Sequence, residues 1–140
     1  MSDLLNYFLD TNVCIALLNG KPPTVRVRLQ QAWADGASIS LPCIVLHELF
    51  YGAEKSVHRK ANSEAILRLL EDTFEVLPFD IEAAKASGQI RALLERKGQR
   101  IGEYDTLIAG QASARGLTLV TANTREFSRV NGLSLVDWTI

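Results

Sequence analysis

The chain predicts an α/β fold, a three-layer α/β/α sandwich around a mostly parallel sheet of about five strands. Strand-like runs at 4–9, 37–41, 74–79, 117–121 and 133–136 alternate with helical stretches, and parallel strands need such crossovers. Helical periodicity is explicit where Ile66, Leu69, Leu70 and Phe74 recur at three- to four-residue steps, and again at Ile90, Leu93 and Leu94. Each of these stripes should pack on the sheet. A length of 140 residues, 47% of them hydrophobic and 22% charged, suits one domain spanning 1–140 with a core of ordinary size.

Taken in order, the strand at 4–9 feeds a helix at 12–19, which Gly20 and Pro22-Pro23 separate from a second helix at 24–34. After the strand at 37–41, Pro42 suits the first turn of a helix at 42–54. A helix at 58–73 and the strand at 74–79 follow. The helices at 81–97 and 104–115 are each succeeded by a glycine, Gly98 and Gly116, placed to end them in the left-handed conformation. No internal repeat, low-complexity tract or linker interrupts the pattern.

Composition excludes several classes. The net charge of −1 rules out a chain that binds polyanions as a whole, so any nucleic-acid contact must come from local basic segments: Arg26 and Arg28, 55–60, and 96–100. Apolar runs fall short of the roughly 18 residues that span a bilayer, and no basic segment precedes an apolar stretch and cleavage site. The expectation is a soluble, unexported, cytoplasmic protein that meets no membrane. Cys14 and Cys43 lack CxxC spacing and lie in apolar runs, so both are expected to be buried thiols in a reducing compartment.

The chemistry lies in three carboxylates embedded in core-like sequence. Asp10 ends the run Tyr7-Phe8-Leu9, Glu48 interrupts the run at 44–51, and Asp105 precedes Thr106-Leu107-Ile108-Ala109. Burying an ionised carboxylate costs several kcal/mol unless a cation or hydrogen bonds compensate it, so three in one small chain suggest a metal. Asp10 falls at the carboxyl end of the first strand and Asp105 in the first turn of a helix, where open α/β sheets place their ligands. Each acid also has an innocent reading: Asp10 and Asp105 as helix-capping or first-turn acids, and Glu48 as the partner of Lys55 or a distant arginine. Carboxylates with few histidines favour Mg²⁺ or Mn²⁺ over zinc, a centre that would activate water and stabilise charge on a phosphate.

The runs Leu9-Asp10-Thr11-Asn12, His47-Glu48-Leu49-Phe50-Tyr51-Gly52-Ala53, Leu77-Pro78-Phe79-Asp80, Gly88-Gln89-Ile90-Arg91, the stretch 101–109 and the stretch 119–127 resemble, in order and spacing, PIN-domain proteins of the VapC toxin type. The likeness covers about residue 7 to Trp138. It implies a PIN-like sandwich and a Mg²⁺- or Mn²⁺-dependent endoribonuclease of a toxin-antitoxin pair, inhibited by a VapB-type antitoxin. Asp10, Glu48 and Asp105 match the family's three core acids. The resemblance further implies a structured RNA substrate such as a tRNA, products with 5′-phosphate and 3′-hydroxyl ends, a homodimer, and a toxin-antitoxin hetero-oligomer that touches operator DNA only through the antitoxin.

Many family members carry Asp where this chain has Asn123, and Glu126 matches a variant in which glutamate completes the acidic set. A helical turn over 123–126 would put both on one face. Glu103 is a further candidate, but two residues from Asp105 it points away once the helix has begun. Thr11 and Asn12 either orient Asp10 or cap the first helix. Thr121 either bonds the acid cluster or closes a turn. His47, about 100° round the helix from Glu48, is a core or surface histidine. Lys55, Arg59, Lys60, Arg91 and Arg100 are candidate contacts for RNA phosphates, against a solvated face as the alternative for each.

Leucine, valine, Trp33, Phe50 and Tyr51 crowd 24–34 and 42–70, enough to furnish an apolar groove for an antitoxin helix. Two other α/β classes fit poorly: a haloacid-dehalogenase-type phosphotransferase needs an acid where Asn12 stands, and a response-regulator receiver needs an early acidic pair and a late lysine. The remaining alternative is a catalytically silent PIN domain that only binds RNA or protein, which the complete set of core acids disfavours.

Overall fold

A computed structural model describes residues 5–71 and 74–140. β1 (Asn6–Leu9) leads into α1 (Thr11–Asn19) and α2 (Pro23–Ala34), and β2 (Ser38–Pro42) into α3 (Cys43–Lys55) and α4 (Arg59–Leu70). β3 (Glu75–Leu77) is followed by α5 (Ile81–Arg96) and α6 (Glu103–Arg115), and β4 (Thr118–Val120), α7 (Thr124–Phe127) and β5 (Leu135–Val136) complete the order. The five strands form one sheet in the order β3-β2-β1-β4-β5, every pairing parallel. Residue 4 of the first expected strand and the last two residues of the helix expected at 58–73 lie outside the described residues.

Winding direction reverses at β1. The chain builds β2 and β3 on one side of it, then returns to place β4 and β5 on the other, with Phe8 opposite both Ser40 and Leu119. Such a reversal leaves a crevice at the carboxyl ends of the two central strands, here the ends of β1 and β4. Phe8, Leu9, Leu119 and Val120 are fully buried, as expected of central parallel strands covered on both faces.

Three expectations need correction. The stripe Ile66, Leu69 faces α3 and α1, and α5 packs chiefly on α6, so these helices lie against other helices rather than directly on the sheet. Pro42 is the last residue of β2 and the N-cap of α3 rather than a first-turn residue. Its missing N–H costs nothing at a strand end. Cys43 is exposed, whereas Cys14 is buried; Val45, Leu49 and Ala53 define the buried face of α3, and a residue two positions before Val45 points about 200° from it. Burial, with the Asp10 charge beside it, pushes the Cys14 thiol up and keeps it inert.

α5 begins where it does because Asp80 caps it, its Oδ1 accepting from the Ala83 N–H at 2.9 Å. The other oxygen accepts from Arg115 Nη2 at 3.0 Å, which ties the start of α5 to the last turn of α6. α6 is anchored again by fully buried Gln111, whose Nε2 donates to the carbonyls of Leu77 (3.0 Å) and Pro78 (2.9 Å) as the chain leaves β3. Gln111→Leu strips both carbonyls of their donor, and a thermal melt should show a loss of about 1–3 kcal/mol. An unchanged melting temperature would mean that those carbonyls find other partners.

Candidate active site

Asp10 follows β1 directly, and its main-chain N–H bonds the Val120 carbonyl at 3.2 Å, which locks it to the end of β4. It is the N-cap of α1, with Oδ1 accepting from the Val13 N–H at 2.9 Å. The innocent reading of Asp10 is therefore true, and it does not exhaust the residue. One carboxylate oxygen is spent on the cap, yet the side chain is only 5% exposed and pairs with no cation among the described residues. Its pKa is raised, chiefly by burial; the Thr121 hydroxyl and the N–H groups of Val13 and Asn12 pull it down, and Glu48 pushes it up.

Three further carboxylates belong to this neighbourhood. Asp105, in the first turn of α6, is pushed up to about 6 by burial and then by the charges of Asp10, Glu126 and Glu48. That ranking places Asp10 at the end of β1, Glu48 on α3 and Glu126 on α7 within electrostatic reach of Asp105 on α6. Gly102 just ahead of α6 lies against the Asp105 side chain, where a Cβ would make ordinary contact with Oδ2 at 3.4 Å. Half-buried Glu48 accepts the Thr11 hydroxyl at 2.7 Å through Oε1. Glu126 accepts the Asn123 amide Nδ2 at 3.0 Å through Oε2.

The supporting residues thus resolve into distinct positions. Thr11 serves Glu48, and the cap of α1 comes from Asp10 itself, which corrects the expectation that Thr11 or Asn12 caps that helix. Asn12 contributes its main-chain N–H. Thr121 takes both roles left open for it, bearing on Asp10 and accepting the Asn123 N–H at 2.9 Å to close the turn after β4. Asn123 spends its side-chain donor on Glu126. The short helix α7 supplies the turn that brings them together.

Other candidates stand apart. Glu103 is the first residue of α6 and, with Arg91 and Arg100, lines a cavity of about 330 Å³ floored by Phe79, Leu94 and Ile101. Both arginines reach Glu95, at 3.1 and 3.8 Å. Lys55 lies over the Tyr51 ring at 5.0 Å instead of pairing with Glu48, and Arg59 and Lys60 are exposed at the start of α4. Exposed His47 meets Tyr104 across the site, Nε2 to hydroxyl 3.2 Å, a pairing that residues 57 apart do not announce in sequence.

Among the described residues, no three of His, Cys, Asp or Glu are already drawn together as a ready-made ion cage. The reason is visible in the bonds: each of Asp10, Glu48 and Glu126 rests on a protein donor, and like charges without a counter-ion separate. The donor set nonetheless fits a hard divalent cation, being all oxygen, net negative and partly desolvated.

A strand-end acidic crevice at the winding reversal of a parallel sheet defines the class, and residues 7–133 match the PIN domain family. The chain is 43% identical over 136 residues to the tRNA(fMet)-specific endonuclease VapC of Shigella flexneri, covering 97% of this chain and all of the relative. It is 37% identical to ribonuclease VapC2 of Rickettsia felis, over 94% of this chain and 97% of that one. Among solved structures, DNA-bound VapBC from Salmonella typhimurium superposes with a TM-score of 0.86 at 43% identity, covering 96% and 99% of the two chains. VapBC2 of Rickettsia felis, bound to a fragment of promoter DNA, gives 0.87 at 35% identity with the same coverage. The chain belongs to the VapC family of PIN-domain proteins.

Proposed function

We propose that the protein is a Mg²⁺-dependent endoribonuclease toxin, with Mn²⁺ as a substitute ion, and that Asp10, Glu48 and Asp105 hold the cation with Glu126 completing the acidic set. The observation that carries this reading is the gathering of Asp10, Glu48 and Glu126 around Asp105 at the crevice between β1 and β4, none of the four with a cationic partner among the described residues, in a chain whose relatives are named as ribonucleases. Bound there, the ion would supply an activated water and neutralise charge building on the scissile phosphate. The chain's own part is to hold oxygens toward the crevice: the α1 cap fixes Asp10, the Thr11 hydroxyl orients Glu48, and the Asn123 amide orients Glu126. The substrate we propose is a structured RNA, a tRNA cut in a loop, leaving 5′-phosphate and 3′-hydroxyl ends.

Inhibition and assembly fit the same reading. Between α1, α3 and α4 runs a groove of about 270 Å³ lined by Ile15, Leu18, Leu49, Ala53 and Ile66, with Glu48 in its wall. The amphipathic helix of a VapB-type antitoxin laid there buries apolar surface and ends beside the acids. The toxin, itself a homodimer, joins hetero-oligomers that reach operator DNA through the antitoxin. No helix among the described residues is long and apolar enough to cross a membrane, and we place the protein in the cytoplasm.

Brief expression followed by sequencing of RNA ends, with Asp10→Asn as control, should reveal a small set of cut sites absent from the control. In vitro, cleavage should stop in EDTA and return with Mg²⁺ or Mn²⁺. Undiminished cleavage in EDTA would rule the mechanism out.

A further inference from the structure

α3 and α6 carry Glu48 and Asp105, yet they do not pack along one another: α3 lies on α4, α1 and β2, and α6 on α5 and β4. Across the gap between them, the side-chain hydrogen bond found among the described residues is that of His47 Nε2 with the Tyr104 hydroxyl, at 3.2 Å. The two rings also meet edge to face with centroids 5.7 Å apart, a favourable aromatic geometry. His47 immediately precedes Glu48, and Tyr104 immediately precedes Asp105. Each half of the bridge is thus one residue from an acid, on the same stretch of helix. Both partners are solvent-accessible, Tyr104 to 45%, so core packing does not explain the contact.

Glu48 on α3 and Asp105 on α6 are like-charged acids facing one crevice, and like charges repel when no cation lies between them. Whatever separation α3 and α6 adopt is therefore under outward electrostatic load, and a link between them limits the reorganisation needed when a cation draws the acids in. We propose that His47 and Tyr104 are positioning residues, a bridge that sets the spacing of α3 and α6 and thereby the distance between Glu48 and Asp105. The proposal rests on the reading that these two acids share a cation. Neither ring touches the reacting atoms in this scheme; both act through the helices they join.

Mn²⁺ affinity, measured as free ion by electron paramagnetic resonance, tests the bridge on the full-length protein, together with kcat and KM for RNA. A solvent-accessible hydrogen bond converts to roughly a two- to tenfold effect. Tyr104→Phe, which keeps the ring and removes the hydroxyl, should weaken Mn²⁺ binding by that factor and lower kcat at limiting Mn²⁺ while KM for RNA stays within about twofold. His47→Ala should do the same, and the double variant should be no worse than either single, as for two halves of one interaction. His47→Gln, still able to bond the phenol, should recover most of the affinity. Unchanged Mn²⁺ affinity in Tyr104→Phe overturns the proposal. So does a silent Tyr104→Phe beside a Tyr104→Ala that raises KM, which would make the ring an RNA-stacking surface. Asp105→Asn run in parallel separates the two levels: if it abolishes Mn²⁺ binding while Tyr104→Phe does nothing, the bridge alone fails; if it leaves Mn²⁺ binding intact, the metal-site reading fails and the bridge with it.

Discussion

Asp105→Asn should reduce RNA cleavage by roughly 10²–10³-fold or more, the scale seen when one preorganised electrostatic contact to a reacting centre is removed, and it should make the metal-free protein more stable. The second effect separates a site acid from a structural one. Burial and the charges of Asp10, Glu126 and Glu48 hold Asp105 up at about 6, above the unfolded value near 3.9. Between those two values the folded state binds more protons than the unfolded one, so stability falls as pH rises from about 4 to about 6 and stays at its lowered level above. Asparagine cannot ionise, so the variant should lose that part of the pH dependence and melt higher than the parent at pH 7.5 in EDTA. Adding Mn²⁺ should raise the melting temperature of the parent and leave the variant unmoved. A variant that unfolds, while its folded fraction cleaves RNA at the parental rate, would make Asp105 a helix-start acid and nothing more.

The same logic ranks its neighbours. Glu126→Gln should cost less, because the Asn123 amide already neutralises part of that carboxylate's demand, and excess Mn²⁺ should recover part of the loss. Thr11→Val removes the hydroxyl that orients Glu48, and losing a partner of this kind typically weakens metal binding by about 10–100-fold. Asn123→Asp restores an acid common in the family, but here it would set a second carboxylate against Glu126 in place of a donor. Its gain in metal affinity therefore comes with a lower melting temperature in EDTA.

Asp10, Glu48 and Asp105 stood out as candidates because a charge inside an apolar run is a local anomaly, visible in one dimension, and the structure sets them in one neighbourhood. The alternation of strands and helices was legible for the same reason. Partnerships across long sequence separations were not: Thr11 with Glu48, His47 with Tyr104 and Gln111 with the carbonyls of Leu77 and Pro78 lie 37, 57 and 33–34 residues apart. Hydrogen-bond donors carry no periodicity that names their acceptor. Which layer a helix contacts was hidden as well, since an apolar stripe on α4 or α5 looks the same whether it meets a sheet or another helix. Cys43 failed differently. Its run is apolar, but its position on α3 sets its direction, and composition within the run says nothing of angle.

Gly110→Ala should destabilise the protein strongly for a single added methyl. A Cβ at Gly110 would fall 2.5 Å from the Ser87 Cβ and 2.6 Å from its Cα and main-chain nitrogen, so the obstacle is the backbone of α5 and cannot rotate away. The crossing of α5 and α6 is the most extensive helix pairing in the fold, and parting it also displaces the start of α6, where Asp105 sits. Overpacking of this kind costs about 1–3 kcal/mol or more, and a melting temperature lower by roughly 5–10 °C is expected for a domain of this size. Gly88, one position past Ser87 on α5, gives the matched control. It is helical with nothing within 4 Å of a built Cβ, so Gly88→Ala should stabilise by about 0.4–1 kcal/mol through the unfolded chain's lost freedom. Ser87→Gly should fail to rescue Gly110→Ala, because the Cα and nitrogen remain in the way after the Ser87 side chain is gone. Full rescue by Ser87→Gly would show that α5 and α6 cross less closely than these distances state.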